Sequence, residues 1–382
     1  MITLDISQSV YKGTGSARFI TDLTKTILDY SDNEFFSFFF SGLKQKLDNS
    51  IQKSIKAKKF KLYRFFLPPK LLSFIWNQMH ILPVDFFIKT KVFLSSDWTE
   101  PPTINCKKAT ILHDLAFLRF PNVIHPLILK TQRQRLKWII KESSLIITDA
   151  TATVSDIKTL IPKHKKILGL SETDLDRLEK EIKVEVVYPG VKIPKINHHK
   201  AELILKKFGL KPNSYFLSVG KIEPRKNLKR LITAFNQITT KKKLIIVGPE
   251  GWDKLKQERI NRDNIIFTGF ITDNELFSLY ANAYAFVFAS IWEGFGYPLI
   301  EAGLSKTPII CSNIEIFNEL IGKNALYFNP KNTKDIAEKL QLAEQNPNLI
   351  NKNIQPAYNL SQKYNWKNYY NSFKQILINL CR

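Results

Sequence analysis

The sequence predicts an α/β protein made of two doubly wound parallel sheets in tandem. A chain of 382 residues is too long for one ordinary hydrophobic core, so two domains are expected. In both halves, short apolar segments alternate with segments of helical period, which is typical of βαβ units. Pro and Gly interrupt this alternation at 188–195, which predicts a hinge between the domains there.

The N-terminal half contains short apolar segments that predict buried strands. They lie at 2–6, 35–40, 91–96, 109–114, 145–150 and 184–189. A segment of good helical period predicts a helix at 126–142. The N-terminal domain is therefore expected to cover 1–188.

The C-terminal half repeats the same rhythm of strands and helices. Its predicted strands lie at 215–220, 243–248, 264–269, 285–290, 307–312 and 325–330. Helices are predicted at 227–238, 273–283 and 333–345. The C-terminal domain is expected to cover 190–362.

The formal net charge of +23 is the unusual quantity of the composition. An excess of this size favours polyanionic partners, which are nucleic acid, anionic lipid or phosphorylated substrates, although solvated lysine-rich faces are the simpler interpretation. A nucleic-acid-binding protein stays an alternative. Because the basic residues are spread over both halves and no RNA-binding motif is present, no nucleic-acid partner is expected.

Cysteine usage and the first residues predict where the protein works. Cys106, Cys311 and Cys381 are too widely spaced for a disulfide framework or a metal site, and they fit a reducing compartment. The first residues lack a basic segment followed by an apolar one, so we expect no signal peptide and a cytoplasmic location.

A loop with two glutamates follows the predicted strand at 285–290 and leads into a helix. Gly294 and Gly296 would let backbone N–H groups approach a phosphate, and the helix N-terminus adds positive potential. A carboxylate beside a diphosphate is repelled, so Glu293 and Glu301 suit sugar hydroxyls instead. For either glutamate alone, a surface or helix-start role is the simpler interpretation. The whole segment predicts a nucleotide-sugar site.

The segment EGFGYPLIEA resembles the E-x₇-E signature of retaining glycosyltransferases of family 4. This family has the GT-B fold, in which two Rossmann-like domains face a cleft. The segments at 218–235 and 264–290 resemble two further parts of its donor domain, and 109–121 resembles bacterial mannosyltransferases of O-antigen and related polysaccharides.

The resemblance implies roles for the residues of the donor domain. Glu293 would contact the transferred sugar and Glu301 the ribose. The loop residues Gly294, Phe295 and Gly296 would bind the donor. The base would lie against Phe270, Ile271 and Leu276.

A basic loop between a predicted strand and helix contains Lys221, Arg225 and Lys226. Cations aimed at a departing diphosphate help more in the transition state than in the ground state, because negative charge grows there. The alternative is a solvated basic loop. Many members of the family that the chain resembles carry Arg where this chain has Lys221, and a lysine cannot make the bidentate contact that Arg makes with a phosphate. Arg225 and Lys226 are therefore expected to supply most of the transition-state stabilisation.

Two features of the N-terminal domain complete the predicted site. Gly13 and Gly15 lie between the first strand and its helix, without the third glycine of a dinucleotide fingerprint. The resemblance implies that such a loop closes over the reaction centre, with Gly15 the better candidate. His113 follows a strand, at the edge where doubly wound folds bind ligands, and the resemblance places it near the donor sugar. A structural histidine is the alternative.

These features predict a retaining glycosyltransferase of GT-B fold. The resemblance implies a mannose donor, GDP-mannose, and a glycan or lipid-linked acceptor in cell-surface polysaccharide synthesis. No cluster has metal-ligand spacing, so no metal or other cofactor is expected. An epimerase of the same fold, which acts on one nucleotide sugar, is the other enzymatic alternative.

The segment at 53–76 predicts a contact with a membrane. No acidic residue occurs from Asn49 to Val84, while basic and aromatic residues alternate at 53–76. Such a surface suits anionic lipid at the inner face of the cell membrane. The alternative is that the aromatic residues are core. The resemblance also implies that a final helix at 364–382 packs on the N-terminal domain.

Overall fold

The computed structural model describes residues 1–11, 14–95, 97–194, 198–251 and 264–381. The chain separates into two compact units. The first comprises Met1–Gly190 with Trp366–Arg382, and the second comprises Val191–Asn365. Each unit is built on one parallel sheet, as the alternating pattern predicts.

The first unit contains a parallel sheet with the strand order β3-β2-β1-β4-β5-β6-β7. Its strands are β1 (Ile2–Asp5), β2 (Phe36–Ser41), β3 (Lys61–Phe65), β4 (Val92–Ser95), β5 (Lys107–Leu112), β6 (Leu145–Thr148) and β7 (Lys183–Val186). The order reverses direction between β1 and β4, which is the topological switch point where doubly wound sheets bind ligands.

Helices cover both faces of the first sheet. They are α1 (Gly15–Tyr30), α2 (Asn49–Ala57), α3 (Pro69–Ser73), α4 (Ala116–Arg119), α5 (Pro126–Glu142), α6 (Thr151–Lys163), α7 (Lys165–Leu168) and α8 (Glu172–Lys180). Neighbouring strand residues point to opposite faces. Phe38 therefore packs in a cluster with α1 and α2, while Phe39 packs in another with Leu72 and Trp76.

The second unit contains a parallel sheet with the order β10-β9-β8-β11-β12-β13. Its strands are β8 (Tyr215–Val219), β9 (Lys243–Val247), β10 (Ile265–Gly269), β11 (Ala285–Phe288), β12 (Ile309–Ser312) and β13 (Leu326–Phe328). Here the order reverses between β8 and β11.

The helices of the second unit are α9 (His198–Lys207), α10 (Leu228–Phe235), α11 (Asp273–Asn282), α12 (Tyr297–Leu304), α13 (Glu315–Ile321), α14 (Thr333–Gln345), α15 (Asn348–Asn351) and α16 (Ile354–Ser361). Three of them, α10, α11 and α14, lie at the predicted positions, and the others were given no predicted range. Side-chain caps fix two of the starts. Thr272 and Glu275 form a capping box before α11, and Asn332 accepts from two backbone N–H groups of α14.

The final helix of the chain, α17 (Trp366–Cys381), lies in the first unit. Trp366, Tyr369, Phe373 and Leu377 recur at helical spacing and are buried in the cluster that contains the core of β1 and β2. The Phe373 ring stacks on Phe36, with 6.1 Å between centroids. An amphipathic stripe of aromatic residues therefore attaches this helix.

The strand β3 was not predicted, and it changes the interpretation of the segment 53–76. It is an edge strand beside β2, and its residues are at most half-buried. Phe60, Leu72 and Trp76 are core residues rather than members of an exposed surface, with 6%, 3% and 2% exposure. The prediction that all aromatic residues of this segment face a membrane is therefore wrong. None of the helices in the described ranges is long and apolar enough to span a bilayer.

Gly190 generates a prediction about how α17 attaches. A Cβ added at Gly190 would lie 2.4 Å from the backbone nitrogen of Trp366 and 2.5 Å from its Cγ. Because backbone cannot move aside cheaply, we expect Gly190→Ala to lower the free energy of unfolding by about 1–3 kcal/mol. Urea unfolding measures this, with Gly15→Ala as the control, since nothing lies within 4 Å of a Cβ at Gly15. Equal stability of the two variants would contradict the prediction.

Candidate active site

Two loops meet at the switch point of the second unit. One follows β8 and contains Gly220 to Asn227, and the other follows β11 and contains Ser290 to Gly296. Because β8 and β11 are neighbours in a parallel sheet, both loops leave from the same edge. The backbone N–H of Ile291 donates to the carbonyl of Arg225 at 2.9 Å, which joins the loops directly.

Glu293 lies at the centre of these loops, with 6% exposure. Its Oε1 accepts from Nζ of Lys226 at 2.6 Å and from the hydroxyl of Ser290 at 2.6 Å. Its Oε2 accepts from Nη1 of Arg225 at 2.5 Å. The predicted sugar-binding carboxylate and the two predicted diphosphate-binding cations therefore form one ion-paired group.

The ion pairs determine the charge state of Glu293. Burial opposes ionisation of this carboxyl, but Arg225 and Lys226 outweigh it and lower the pKa to about 2. Burial also lowers the pKa of Lys226, and the carboxylate of Glu293 only partly opposes this. The charge of the lysine therefore depends on its partner.

Two residues that the sequence did not point to hold the basic loop in place. Oε1 of Glu223 lies 2.6 Å from Nε of Arg225, so the guanidinium forms ion pairs with two carboxylates. Asn227 adopts a left-handed conformation, with φ of 59°, which Asn tolerates better than most residues. Its Nδ2 donates to the carbonyls of Ala289 at 3.0 Å and Pro330 at 2.7 Å.

Gly220 makes room for the buried lysine. Its φ of 153° favours glycine, and an added Cβ would lie 3.0 Å from Cε of Lys226. Lys221, the third predicted cation, is exposed, in contrast to the buried Lys226.

The second glutamate of the loop, Glu301, is buried on α12 with 1% exposure. The hydroxyl of Tyr280 donates to its Oε2 at 3.2 Å. Tyr280 is fully buried on α11 and was not predicted to belong to the site. Gly296 precedes the helix with φ of 102°, a conformation that favours glycine, and therefore sets the direction in which α12 starts.

The predicted base-binding residues have different environments. Phe270 is 71% exposed, Ile271 is buried at 9%, and Leu276 is half-buried. A cavity of about 410 Å³ lies along β10 and beside the turn after β9, and its lining does not include these three residues in the described part of the chain. The lining residues are Ile222, Gly248, Glu250, Ile265, Ile266, Phe267 and Gly269.

The side chain of Phe295 packs in the protein interior. It is 4% exposed, and its ring packs against Tyr297 and Tyr364 at 5.1 Å and 5.9 Å between centroids. Gly294, beside it, is half-buried. A donor at this loop would therefore meet backbone rather than the Phe295 ring.

In the first unit, His113 pairs with a carboxylate. It follows β5, and its Nδ1 lies 2.7 Å from Oδ2 of Asp149, which follows β6. Burial opposes protonation of His113, but Asp149, with Asp97 and Asp114, raises its pKa to about 9. A protonated imidazole donates from both nitrogens. No described residue accepts from Nε2, so this donor is available to a ligand.

The start of α1 lies beside the switch point of the first unit. Gly15 is its first residue and has open space around its Cα, while Gly13 lies outside the described residues. The hydroxyl of Ser16 donates to Oδ2 of Asp97 at 2.7 Å, which joins α1 to the loop after β4. Asp97 in turn lies 3.6 Å from Nη1 of the fully buried Arg135.

A buried charge network supports this edge of the first unit. Glu100 and Lys108 are almost completely buried with Arg135. Nε of Arg135 lies 3.5 Å from Glu100, and Nζ of Lys108 donates to Glu142 at 2.7 Å. Burial raises the pKa of Glu100 even though both cations oppose the shift. The network was not predicted, because its members are far apart in the sequence.

Comparison with known proteins finds a family match for part of the chain. Residues 201–360 match the family described as Glycosyl transferases group 1. The chain is 34% identical over 206 residues to the O-antigen chain mannosyltransferase RfbU of Salmonella typhimurium, which covers 51% of this chain and 56% of that protein. It is 28% identical to O-antigen chain mannosyltransferase B of Escherichia coli, over 69% of this chain and 68% of that protein. The match thus spans about half the length of the first relative.

Solved structures share the fold over nearly the whole chain. HepE of Anabaena, in complex with UDP and glucose, has a TM-score of 0.69 at 16% identity and covers 99% of this chain and 100% of its own. WaaG, a glycosyltransferase involved in lipopolysaccharide biosynthesis, has a TM-score of 0.67 at 13% identity, with coverages of 97% and 99%. These likenesses confirm the predicted GT-B fold.

The charge state of Glu293 generates a pH prediction. Its pKa is lowered in the folded protein, so its stabilising effect is complete above the ordinary value of 4.5 and is lost as the pH falls toward 2. Glu293→Gln should lower the free energy of unfolding by about 3 kcal/mol at neutral pH, because it leaves the buried Lys226 without its carboxylate and removes one of the two carboxylates of the partly buried Arg225. Urea unfolding at several pH values should show this difference narrowing below pH 4.5.

Glu338→Gln is the matched control for Glu293→Gln. Glu338 forms an exposed ion pair with Lys334, at 3.9 Å within α14. Such pairs contribute less than about 1 kcal/mol. If both substitutions have the same small effect at neutral pH, the ion-paired group does not hold the two loops.

His113 generates a second prediction. Its pKa is raised, so its stabilising effect is complete below the ordinary 6.5 and is lost as the pH rises through about 9. NMR titration of labelled histidine should therefore give a midpoint near pH 9 for His113. Asp149→Asn should move that midpoint below 6.5, because burial then acts unopposed. A wild-type midpoint near 6.5 would show that Asp149 does not hold the proton.

Proposed function

We propose that this chain, which over residues 201–360 belongs to the group 1 glycosyl transferases, is a retaining mannosyltransferase that uses GDP-mannose. The observation that carries the proposal is the buried group of Glu293, Arg225 and Lys226 at the switch point of the second unit. Relatives described as O-antigen mannosyltransferases support mannose as the sugar.

The cations suit a departing diphosphate. As the bond between the anomeric carbon and the phosphate oxygen breaks, negative charge grows on the β-phosphate. Arg225 and Lys226 are fixed before the reaction by their ion pairs, so they need no reorganisation as this charge appears. One such preorganised contact is typically worth about 3–4 kcal/mol of transition-state stabilisation.

Glu293 suits the transferred sugar through one remaining acceptor position. A carboxylate offers about four lone-pair sites. Lys226 and Ser290 occupy Oε1, and Arg225 occupies one site on Oε2. A sugar hydroxyl can still donate to Oε2 in a charge-assisted bond. Glu293 would then hold the sugar on the side of the cations that receive the leaving group.

The first unit supplies a cation rather than a base. A His113 with a pKa of about 9 is protonated at neutral pH and cannot accept the proton of the acceptor hydroxyl. If His113 lies near the donor sugar, as the resemblance implies, it would act there as a hydrogen-bond donor. The acceptor oxygen attacks the face from which the diphosphate leaves, and the departing phosphate takes the proton.

The acceptor and the setting complete the proposal. We propose a glycan or lipid-linked acceptor in the synthesis of cell-surface polysaccharide, at the cytoplasmic face of the membrane. Cationic side chains would take the place of a metal ion at the leaving group. Within the described residues, no group of three or more His, Cys, Asp or Glu side chains could hold a metal.

A donor screen tests the proposed function. Thermal unfolding is measured with GDP-mannose, other nucleotide sugars and the free nucleotides, because a ligand that binds the folded state raises the melting temperature. GDP-mannose should give the largest shift, and transfer to a mannose-terminated acceptor should give an α-linked product by NMR. Transfer should persist in EDTA. A sugar that changes configuration without any acceptor would identify an epimerase instead.

The two glutamates should separate in steady-state kinetics. Glu301→Gln removes charge from the proposed ribose contact and should raise KM for the donor by about tenfold with little change in kcat. Glu293→Gln should lower kcat by about a hundredfold, because Glu293 touches the moving sugar and holds Lys226. Tyr280→Phe should also raise KM for the donor, but by less than Glu301→Gln does. If kcat/KM is unchanged in both glutamine variants, Glu293 and Glu301 do not belong to the active site.

A further inference from the structure

We propose that the final helix α17 holds the carboxylate of Asp149 in place through one buried water molecule. Trp366 and Tyr369 of α17 bind this water together with Oδ1 of Asp149. Oδ2, the other carboxylate oxygen, pairs with Nδ1 of His113 at 2.7 Å. Trp366 and Tyr369 are thus positioning residues for the charge of His113. The inference rests on the proposed function only for the use that the reaction makes of this charge.

Three buried polar atoms of the first unit lack a protein partner. Among the described residues, none lies within hydrogen-bond distance of Oδ1 of Asp149, the hydroxyl of Tyr369 or Nε1 of Trp366. Asp149 is 3% exposed, Tyr369 1% and Trp366 9%. An unpaired carboxylate oxygen in the interior loses its hydration without compensation, so proteins pair such atoms with another group or with ordered water.

Ring contacts connect α17 to His113. The His113 ring meets Phe19 of α1 edge to face, with 4.6 Å between centroids and an interplanar angle of 77°. Phe19 packs in turn on Trp366 at 5.6 Å and on Tyr369 at 5.7 Å. The rings of Trp366 and Tyr369 lie 5.2 Å apart. Phe19 therefore lies between His113 and both aromatic residues of α17.

The ends of two strands place the same residues of α17 beside Asp149. Asp149 directly follows β6, and the backbone N–H of Val187, after β7, donates to the carbonyl of the last residue of β6 at 2.9 Å. Gly190 follows a few residues later and packs on Trp366, since an added Cβ would lie 2.5 Å from the Trp366 Cγ. Burial, and then the charge of Asp149, raises the pKa of Tyr369. Because such an effect falls with distance, the carboxylate lies near this hydroxyl.

One water molecule satisfies all three polar atoms. It accepts from the N–H of Trp366 and the O–H of Tyr369, and it donates to Oδ1 of Asp149 in a charge-assisted bond. A buried water typically makes about three such bonds and is costly to remove. Because neither of these two donors reaches the carboxylate directly, a small group that both accepts and donates is required. Water is such a group.

The water orients Asp149 and tunes His113. With Oδ1 held from α17, Oδ2 stays directed at the imidazole. The other charged groups that act on His113 are Asp97 and Asp114, and the hydroxyl of Thr153 on α6 donates to the His113 carbonyl at 3.3 Å. A bond donated to Asp149 matters most when His113 is neutral, because the buried carboxylate then has no cation beside it. The water therefore lowers the pKa of His113 against the larger effect of Asp149.

NMR titration of labelled histidine in the full chain tests the proposal. Tyr369→Phe removes one donor to the water, so the His113 midpoint should rise by about half a pH unit. Adding Trp366→Phe should raise it by about one pH unit in total. If α17 only packs against the sheet, looser packing admits solvent, and the midpoint should fall toward the ordinary 6.5. A midpoint that falls or does not move in Tyr369→Phe overturns the proposal.

Tyr370→Phe is the matched control for Tyr369→Phe. Tyr370 is the next residue of α17, and its buried hydroxyl also lacks a partner among the described residues. Its ring faces Tyr30, with 5.8 Å between centroids, rather than Phe19. The control should leave the His113 midpoint unchanged, and equal shifts in the two variants would overturn the assignment to Tyr369. Unfolding curves verify that each variant keeps its fold.

A crystal structure of the wild type tests for the water directly. Electron density should place it within about 3.2 Å of Oδ1 of Asp149, the Tyr369 hydroxyl and Nε1 of Trp366. Density without a water at this position would overturn the proposal.

Transfer measured from neutral to alkaline pH separates this inference from the proposed function. If the reaction uses the charge of His113, transfer should fall as the pH rises through about 9, and Tyr369→Phe should move this fall to higher pH. A raised NMR midpoint without transfer by any variant overturns only the mannosyltransferase. Transfer by the wild type, together with an unmoved midpoint in Tyr369→Phe, overturns only the role of α17.

Discussion

The second unit depends on one buried carboxylate, Glu293. Arg225 and Lys226 are neighbours in the chain, and both lie largely out of water, so each disfavours the charge of the other. Glu293 compensates both at 2.5 and 2.6 Å, from a loop that follows a different strand. Removing one partner of such a group leaves uncompensated buried charge, which is strongly destabilising. Glu293 therefore fixes the two loops of the switch point and favours the charged form of Lys226, whose pKa burial lowers.

The ion pairs with Glu293 order Arg225 and Lys226 in the free protein, before a diphosphate would be present. Exposed lysines would be flexible and screened, and they would have to be ordered as the leaving group departs. The ion-paired group has already been ordered during folding, at the expense of desolvation. In the proposed reaction, Glu293 would act on the leaving group indirectly as well as on the sugar, and one substitution could not separate the two effects.

The sequence predicted most of the fold because buried parallel strands are short apolar segments with clear limits. Each predicted strand overlaps an observed one. The edge strand β3 was missed, because Lys61 and Arg64 alternate with half-buried residues and resemble a solvated segment. A missed edge strand also explains the error at 53–76, where residues on the two faces of one sheet were assigned to one surface.

The structure brings together the two loops in which the sequence predicted donor-binding residues, but the pairing of their side chains was not predicted. Arg225 and Glu293 are 68 positions apart, and only the strand order brings them together. The sequence pattern around Tyr280 predicts only a core aromatic residue of α11. Asp149 had a usable signal, since it follows a buried strand at the same edge as His113. The rule applied to His113 would have identified it.

In each unit, neighbouring groups of opposite charge keep one site residue charged, but the sign of that charge differs between the units. In the second, two cations hold a carboxylate ionised, with a pKa of about 2. In the first, a carboxylate holds an imidazole protonated, with a pKa of about 9. A general acid or base works best when its pKa lies near the operating pH. The pKa of Glu293 is far below neutral pH and that of His113 is above it, so both side chains are charged at neutral pH. Neither exchanges a proton at neutral pH, so each contributes a fixed charge. Sites of this kind stabilise charge that develops on a substrate, which is what the departure of a diphosphate requires.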